Sequence, residues 1–191
     1  MRAVAAGLAV VGLAAAAGIA YPLARAAMRK GPSEYGSWSM CLGTAWILVG
    51  VAVVAQHAWT TGTGEQLRAA NLPWLPIIGA GGLGQVFIGA LTYLMPVVIG
   101  GGPRAVRVGV GALEAAAPMR EASRNAALVL LAAATASQAP AAAPLATACW
   151  AVVLATYLAD IALMARAGTA QARARTAPPS PSPSNTGGPR G

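Results

Sequence analysis

The chain has 191 residues, 57% of them hydrophobic and only 9% charged, with a mean hydropathy of +0.60 and a formal net charge of +8 at pH 7. Soluble domains carry about 25% charged residues, so this composition excludes a water-soluble globular domain and points to a lipid solvent. The basic residues are scattered between apolar runs and form no continuous stripe, so the expected partner is the lipid bilayer and no nucleic acid.

Crossing a hydrocarbon core about 30 Å thick takes roughly 20 apolar residues in helical form. Five runs approach that length: 3–23, 38–56, 74–99, 126–143 and 145–165. In lipid the backbone must satisfy its own hydrogen bonds, so each span is expected to be helical. The fold expectation is therefore all-α: a polytopic membrane helix bundle of five transmembrane helices over residues 1–167. Residues 168–191, rich in Pro, Ser and Gly with interspersed Arg, are expected to form a disordered basic tail.

The first span follows Arg2 and is Ala-rich. Its small residues "AAAAGIA" also fit the end of a secretory signal peptide. The run is long for such a segment, and Arg25, Arg29 and Lys30 follow it closely, which favours a retained span. Around the second span, Tyr35 and Trp38 are expected at the inner membrane interface and Trp59, with Trp74 of the third span, at the outer one. His57 stands at the outer end of the second span. It is the only histidine, so an internal bis-histidine haem is excluded; a solvated interfacial imidazole is expected, with a proximal or shared haem site as the functional alternative.

The third span contains "IIGAGGLG", in which Gly79, Gly81 and Gly84 spell G-x-G-x-x-G. A dinucleotide site needs a preceding strand and an acidic residue about 20 positions on. No acid lies between Glu65 and Glu114, and the nucleotide reading falls. Gly81, Gln85, Gly89 and Tyr93 recur every four residues, so they share one helix face. Small residues at this spacing let a second helix approach closely. That face is expected to pack against another helix, with Gln85 and the Tyr93 hydroxyl facing protein; a ligand pocket is the alternative. Pro96 should loosen the cytoplasmic end of the helix. Gly100, Gly101 and Gly102 can close it in left-handed conformations, and Pro103 prevents continuation. An anion-binding nest with Arg104 and Arg107 is the functional alternative there.

Arg104, Arg107, Arg120 and Arg124 separate the third and fourth spans, and Pro140 interrupts the link to the fifth. Asp160 is the acid inside a span, about 7.5 Å from the cytoplasmic edge if the span ends at residue 165. Arg166 does not share its helix face, so a pairing arginine must come from another segment, expected to be a loop. Cys41 and Cys149 lie in apolar runs without CxxC or Cys/His spacing. Met40, Cys41, Met95 and Met164 fall near cytoplasmic span ends, and soft sulfur ligands can hold Cu(I). No MxxM spacing supports this, and gap-filling is the expected role. No metal site, cofactor or catalytic residue is expected. Arg25, Arg29, Lys30, the four arginines before the fourth span, and Arg166, Arg173, Arg175 and Arg190 fall on alternate segments from Arg2 and Arg68. This places the N-terminus outside and the C-terminus in the cytoplasm of a plasma-membrane protein.

The stretch "GQVFIGALTYLMPVVIGGGPRAVR", with "RNAALVLLA" after it, resembles the helical membrane domain of actinobacterial membrane-anchored copper oxidases. So does "PLARAAMRKGPSEYGSWSMCLGTAWILVGVAVVA", in which a basic loop leads into a Trp-containing helix. The resemblance covers roughly residues 20–135. In that family the helical part is joined to cupredoxin domains of the multicopper oxidase or copper nitrite reductase type. The cupredoxin ligands need several histidines, and this chain has one. The resemblance thus implies a relative of the anchor without its oxidase chemistry. Two functions follow as expectations: a non-enzymatic anchor or partner subunit for an extracytoplasmic copper or respiratory redox protein, docked through the small-residue face of the third span, or a small-solute or proton-coupled transporter built around Gln85, Tyr93, Pro96 and Asp160.

Overall fold

The computed structural model describes residues 34–176 and, between 7 and 25, residues 7, 10–12, 14, 15, 17, 18, 21, 22 and 25. The first expected span therefore lies largely outside the described residues, and 177–191 lies wholly outside them. Among the described residues all regular structure is helical, with no strand.

Helix α1 (Tyr35–Thr60) is followed by α2 (Gly64–Asn71), which begins with a reciprocal cap. The Thr63 hydroxyl accepts from the Gln66 N–H at 3.2 Å, and the Gln66 side-chain carbonyl accepts from the Thr63 N–H at 3.2 Å. The chain then winds on through a 3-10 turn at Leu72–Trp74, a short α3 (Leu75–Ile78), a π-helical turn at Gly79–Gly84, and α4 (Gln85–Ile99). Pro73 and Pro76 each fall in the first positions of a new winding, where a missing N–H costs nothing. Gly100, Gly101 and Gly102 have φ of 67°, 99° and 82° and reverse the chain, as expected of the glycine run. Pro103 opens α5 (Gly102–Leu113), α6 (Ala117–Ser137) follows, and after a 3-10 turn at Pro140–Ala142 comes α7 (Ala143–Thr176).

Among the described residues, three stretches are long and apolar enough to cross a membrane: Tyr35–Thr60, Gly64–Ile99 and Pro140–Thr176. The run expected as a fourth span is helical but is not one of these three. Its helix covers Ala117–Ser137 rather than 126–143, so Arg120, Glu121 and Arg124 belong to the helix and not to a loop. The fifth runs on to Thr176, past the boundary at 168 set for a disordered tail. Ala167 and Gln171 are buried, at 1% exposure each, and hold this stretch helical.

Two pairs of long helices pack antiparallel, α1 with α4 and α6 with α7. Gly36, Gly43 and Gly50 of α1 meet Gly89, Gly82 and Ile78 respectively, and Arg120 and Arg124 of α6 meet Asp160 and Thr156 of α7. The exterior is apolar: Phe87, Leu94, Val98, Val129, Leu154 and Leu158 are all exposed. The interior carries Ser39, Gln85, Arg120, Glu121, Arg124, Thr156 and Asp160, all buried. A soluble domain has the reverse distribution. With lipid outside, it is the inside that needs polar partners.

The expectation for the Gly81–Gly89 face is met in its contact and corrected in its partner. A Cβ at Gly81 would stand 2.8 Å from the Trp46 ring, and one at Gly89 would stand 2.7 Å from the Gly36 carbonyl oxygen. The face is thus filled by α1 of the same chain and is not open to another protein. Gln85 is fully buried, but Tyr93 is 58% exposed, with its backbone N and Cβ the atoms that approach Gly36. Tyr35 also departs from expectation: it is 2% exposed, buried in the bundle and not at an interface.

Substituting Gly43→Ala places a methyl 2.8 Å from both the Gly82 carbonyl oxygen and the Val86 backbone nitrogen. We expect it to lower stability by about 1–3 kcal/mol. Gly111→Ala, where nothing lies within 4 Å, should raise stability by about 0.5–1 kcal/mol through the glycine entropy term. Thermal unfolding of the two variants in the same detergent checks both the sign and the contrast.

Candidate functional site

Four ionisable groups meet where α6 crosses α7. Arg120 and Arg124 are one helical turn apart on α6, so their guanidinium groups emerge from the same face. Asp160 of α7 accepts from both: Oδ1 from Arg120 Nη1 and Oδ2 from Arg124 Nη2. The carboxylate thus bridges two cations, one through each oxygen. Glu121 adds the second negative charge, with Oε1 3.8 Å from Arg124 Nη1. Two cations and two anions leave the cluster without net charge.

Three further guanidinium contacts reach α5, α7 and α1, while Arg120 Nε and Arg124 Nη1 have no hydrogen-bond partner. Arg120 Nη2 donates to the Leu113 carbonyl at 2.6 Å, capping the last turn of α5. Arg124 Nε donates to the Thr156 hydroxyl at 3.2 Å, and Nη2 donates to the Tyr35 hydroxyl at 3.1 Å. Aromatic faces complete the enclosure. The Arg120 Cζ lies 4.1 Å from the Tyr35 ring centroid and the Arg124 Cζ lies 4.3 Å from that of Tyr157. Tyr157 in turn donates its hydroxyl to the Ala80 carbonyl within the π-helical turn. That contact explains Gly84, where a Cβ would stand 2.6 Å from the Tyr157 oxygen.

A second, uncharged layer adjoins the first. Asn125 Oδ1 accepts from Trp46 Nε1 at 2.9 Å and from Gln85 Nε2 at 3.1 Å, while its Nδ2 donates to Glu121 Oε2 at 3.2 Å. The Ser39 hydroxyl donates to the Gln85 carbonyl at 3.1 Å. Gln85 therefore sits between α1 and α6 and passes the polar network from the glycine face to the ionic cluster.

Beside these layers a cleft of about 600 Å³ lies between the first turns of α1 and the corner joining α5 to α6. Glu34, Glu114, Glu121, Trp38 and Asn125 line it together with apolar side chains. Glu114 Oε1 accepts from the Tyr35 N–H at 2.8 Å, fixing this corner against the start of α1.

The structure thus brings Gln85, Tyr35 and Asp160 into one network, and it adds Arg120, Arg124, Glu121 and Asn125. The expectation that Asp160 takes an arginine from another segment is met, although the segment is a helix and not a loop. Pro96 and the glycine run lie apart from the cluster. The Pro96 and Gly100 carbonyls accept from Gln171 Nε2 at 2.7 and 2.8 Å, so this end is a structural closure. Tyr93 borders a small separate cavity of about 160 Å³ with Pro96, Val106 and Glu114. His57 Nδ1 pairs with Asn71 Oδ1 at 2.9 Å, joining α1 to α2. Among the described residues no three His, Cys, Asp or Glu side chains gather as a metal-binding group. The arginines were missed because charges were read as span boundaries; their four-residue spacing was the available signal.

No family model matches this chain, and comparison with curated proteins and with solved structures returns no match.

Removing one member of a buried ion set leaves its partners uncompensated, at a cost of about 3–5 kcal/mol. We expect Asp160→Asn to lower stability by that order, since it strands two cations at once. Arg120→Met, which leaves Asp160 paired with Arg124, should cost less. Melting temperatures of the detergent-solubilised variants test the ranking.

Proposed function

We propose that this chain is a five-pass plasma-membrane protein, N-terminus outside and C-terminus cytoplasmic, that acts as an anchor or partner subunit for an extracytoplasmic copper or respiratory redox protein. The observation that carries a scaffold role is the double pairing of Asp160, an acid within the bundle. Both Asp160 oxygens are committed to guanidiniums and the cluster carries no net charge. A carrier for protons or small solutes needs an intramembrane group free to exchange partners. Asp160 is instead saturated, which ranks the transporter reading second.

The orientation rests on the basic residues outside the bundle. With Arg120 and Arg124 counted as interior, Arg104, Arg107, Arg166, Arg173 and Arg175 still share one end with the start of α1, and Arg68 stands at the other. The docking surface moves with the correction to the glycine face. At the end away from most of the arginines, Trp59 is 76% exposed, Leu72 57% and Leu75 58%, beside the capped helix α2. A partner standing outside the membrane would meet this rim first.

Reporter fusions at Arg68 and at Arg104 are expected to land in opposite compartments. Purification in mild detergent should retain a stoichiometric partner polypeptide carrying copper or haem, and the triple substitution Trp59→Ala, Leu72→Ser, Leu75→Ser should release it. A chain that purifies alone from its native membrane, without copper or haem in the preparation, would rule out the partner role.

A further inference from the structure

We propose that the cleft between α1 and the α5–α6 corner binds a lipophilic organic cation. At about 600 Å³ it falls within the range of small-molecule pockets. Its walls are mostly hydrocarbon, from Leu42, Ala117, Pro118 and Ala122. Such walls accept an apolar body and give a hydrated metal ion no ligands.

Its charge is one-sided. The chain has five acidic residues against thirteen basic ones, and Glu34, Glu114 and Glu121 all line this cleft. They come from the start of α1, the end of α5 and the second turn of α6, so folding alone gathers them. Glu121 is the decisive member. It is 7% exposed, and its Oε1 receives no hydrogen bond, with Arg124 Nη1 standing off at 3.8 Å. A buried carboxylate oxygen left without a donor is costly. A cation seated in the cleft would offset part of that cost by its charge, without a hydrogen bond.

Trp38 supplies the second recognition element. It is 49% exposed and lines the same cleft, and an indole attracts a positive charge that cannot donate hydrogen bonds. Carboxylates and an aromatic face around an apolar hollow match a delocalised or quaternary cation. They repel an anion of the same size and shape.

The test uses the full chain in a neutral detergent, with tetraphenylphosphonium as probe and tetraphenylborate as its matched anion. Equilibrium dialysis should show saturable binding of the phosphonium and none of the borate. Trp38→Leu and Glu114→Gln should each weaken phosphonium binding by about tenfold, the equivalent of roughly 1.4 kcal/mol, while size-exclusion profiles stay unchanged. Equal uptake of the two ions, uptake that does not saturate, or binding untouched by both substitutions would overturn the proposal. None of these outcomes bears on whether a redox partner docks at the opposite rim, so the two readings fail separately.

Discussion

Two guanidiniums enclosed in a bundle with an apolar exterior set the terms for everything around them. Neither lipid tails nor a packed helix interior can solvate such a group, so its compensation must come from side chains at fixed positions. Asp160 answers both arginines, Glu121 adds a second negative charge, and Tyr35, Thr156 and the Leu113 carbonyl accept three further guanidinium contacts. The partners lie on α1, α5, α6 and α7. The relative register of α1, α5, α6 and α7 is therefore specified by one small polar set. Apolar contact could not have done this, because lipid and side chain are equally good neighbours for an apolar surface.

Glycine packing supplies the complementary constraint on the other side of the bundle. Where α1 crosses α4, backbone meets backbone: a Cβ at Gly36 would stand 2.9 Å from the Gly89 carbonyl oxygen, and one at Gly89 would stand 2.7 Å from the Gly36 carbonyl oxygen. Such proximity gains dispersion contacts in a setting where no hydrophobic drive brings helices together. The π-helical turn at Gly79–Gly84 belongs to the same arrangement, since Ala80 in that turn accepts from Tyr157. Gln85, one residue beyond, ties this seam to Asn125 and so to the ionic cluster. The glycine seam and the charge cluster are thus one connected structure.

Much of the architecture was legible because it follows from solvent. Apolar run length revealed the helices, glycine periodicity revealed the face that packs, and the Gly-Gly-Gly-Pro run marked a reversal that the positive φ values bear out. The ionic cluster was half legible. Asp160 stood out as an acid within a span, and Arg166 was excluded as its partner by helix phase. Arg120 and Arg124 were misplaced because a charge next to an apolar run reads as its boundary. Nothing local distinguishes an arginine in a loop from one that begins a helix and turns inward; only the partner across the bundle decides. The cleft was not legible at all, since Glu34 is distant in sequence from Glu114 and Glu121 and meets them only at the α5–α6 corner.

The cytoplasmic end, in the proposed orientation, shows how these constraints extend past the membrane. With 34 residues, α7 is about 51 Å long at helical rise, well beyond the roughly 30 Å hydrocarbon core. Its last turns pack on α5, where Gly109 makes room for Gln171. Gln171 in turn serves carbonyls left open around Pro96 and the glycine reversal. Helix α5 is therefore held at one end by Gln171 and at the other by Arg120 through Leu113. Glu114, the next residue, receives the first N–H of α1 and also lines the cleft. A ligand that draws on Glu114 must act on the same short corner that closes the ionic cluster. The cleft and the cluster thus meet at adjacent residues, Glu114 lining the one and Leu113 serving the other.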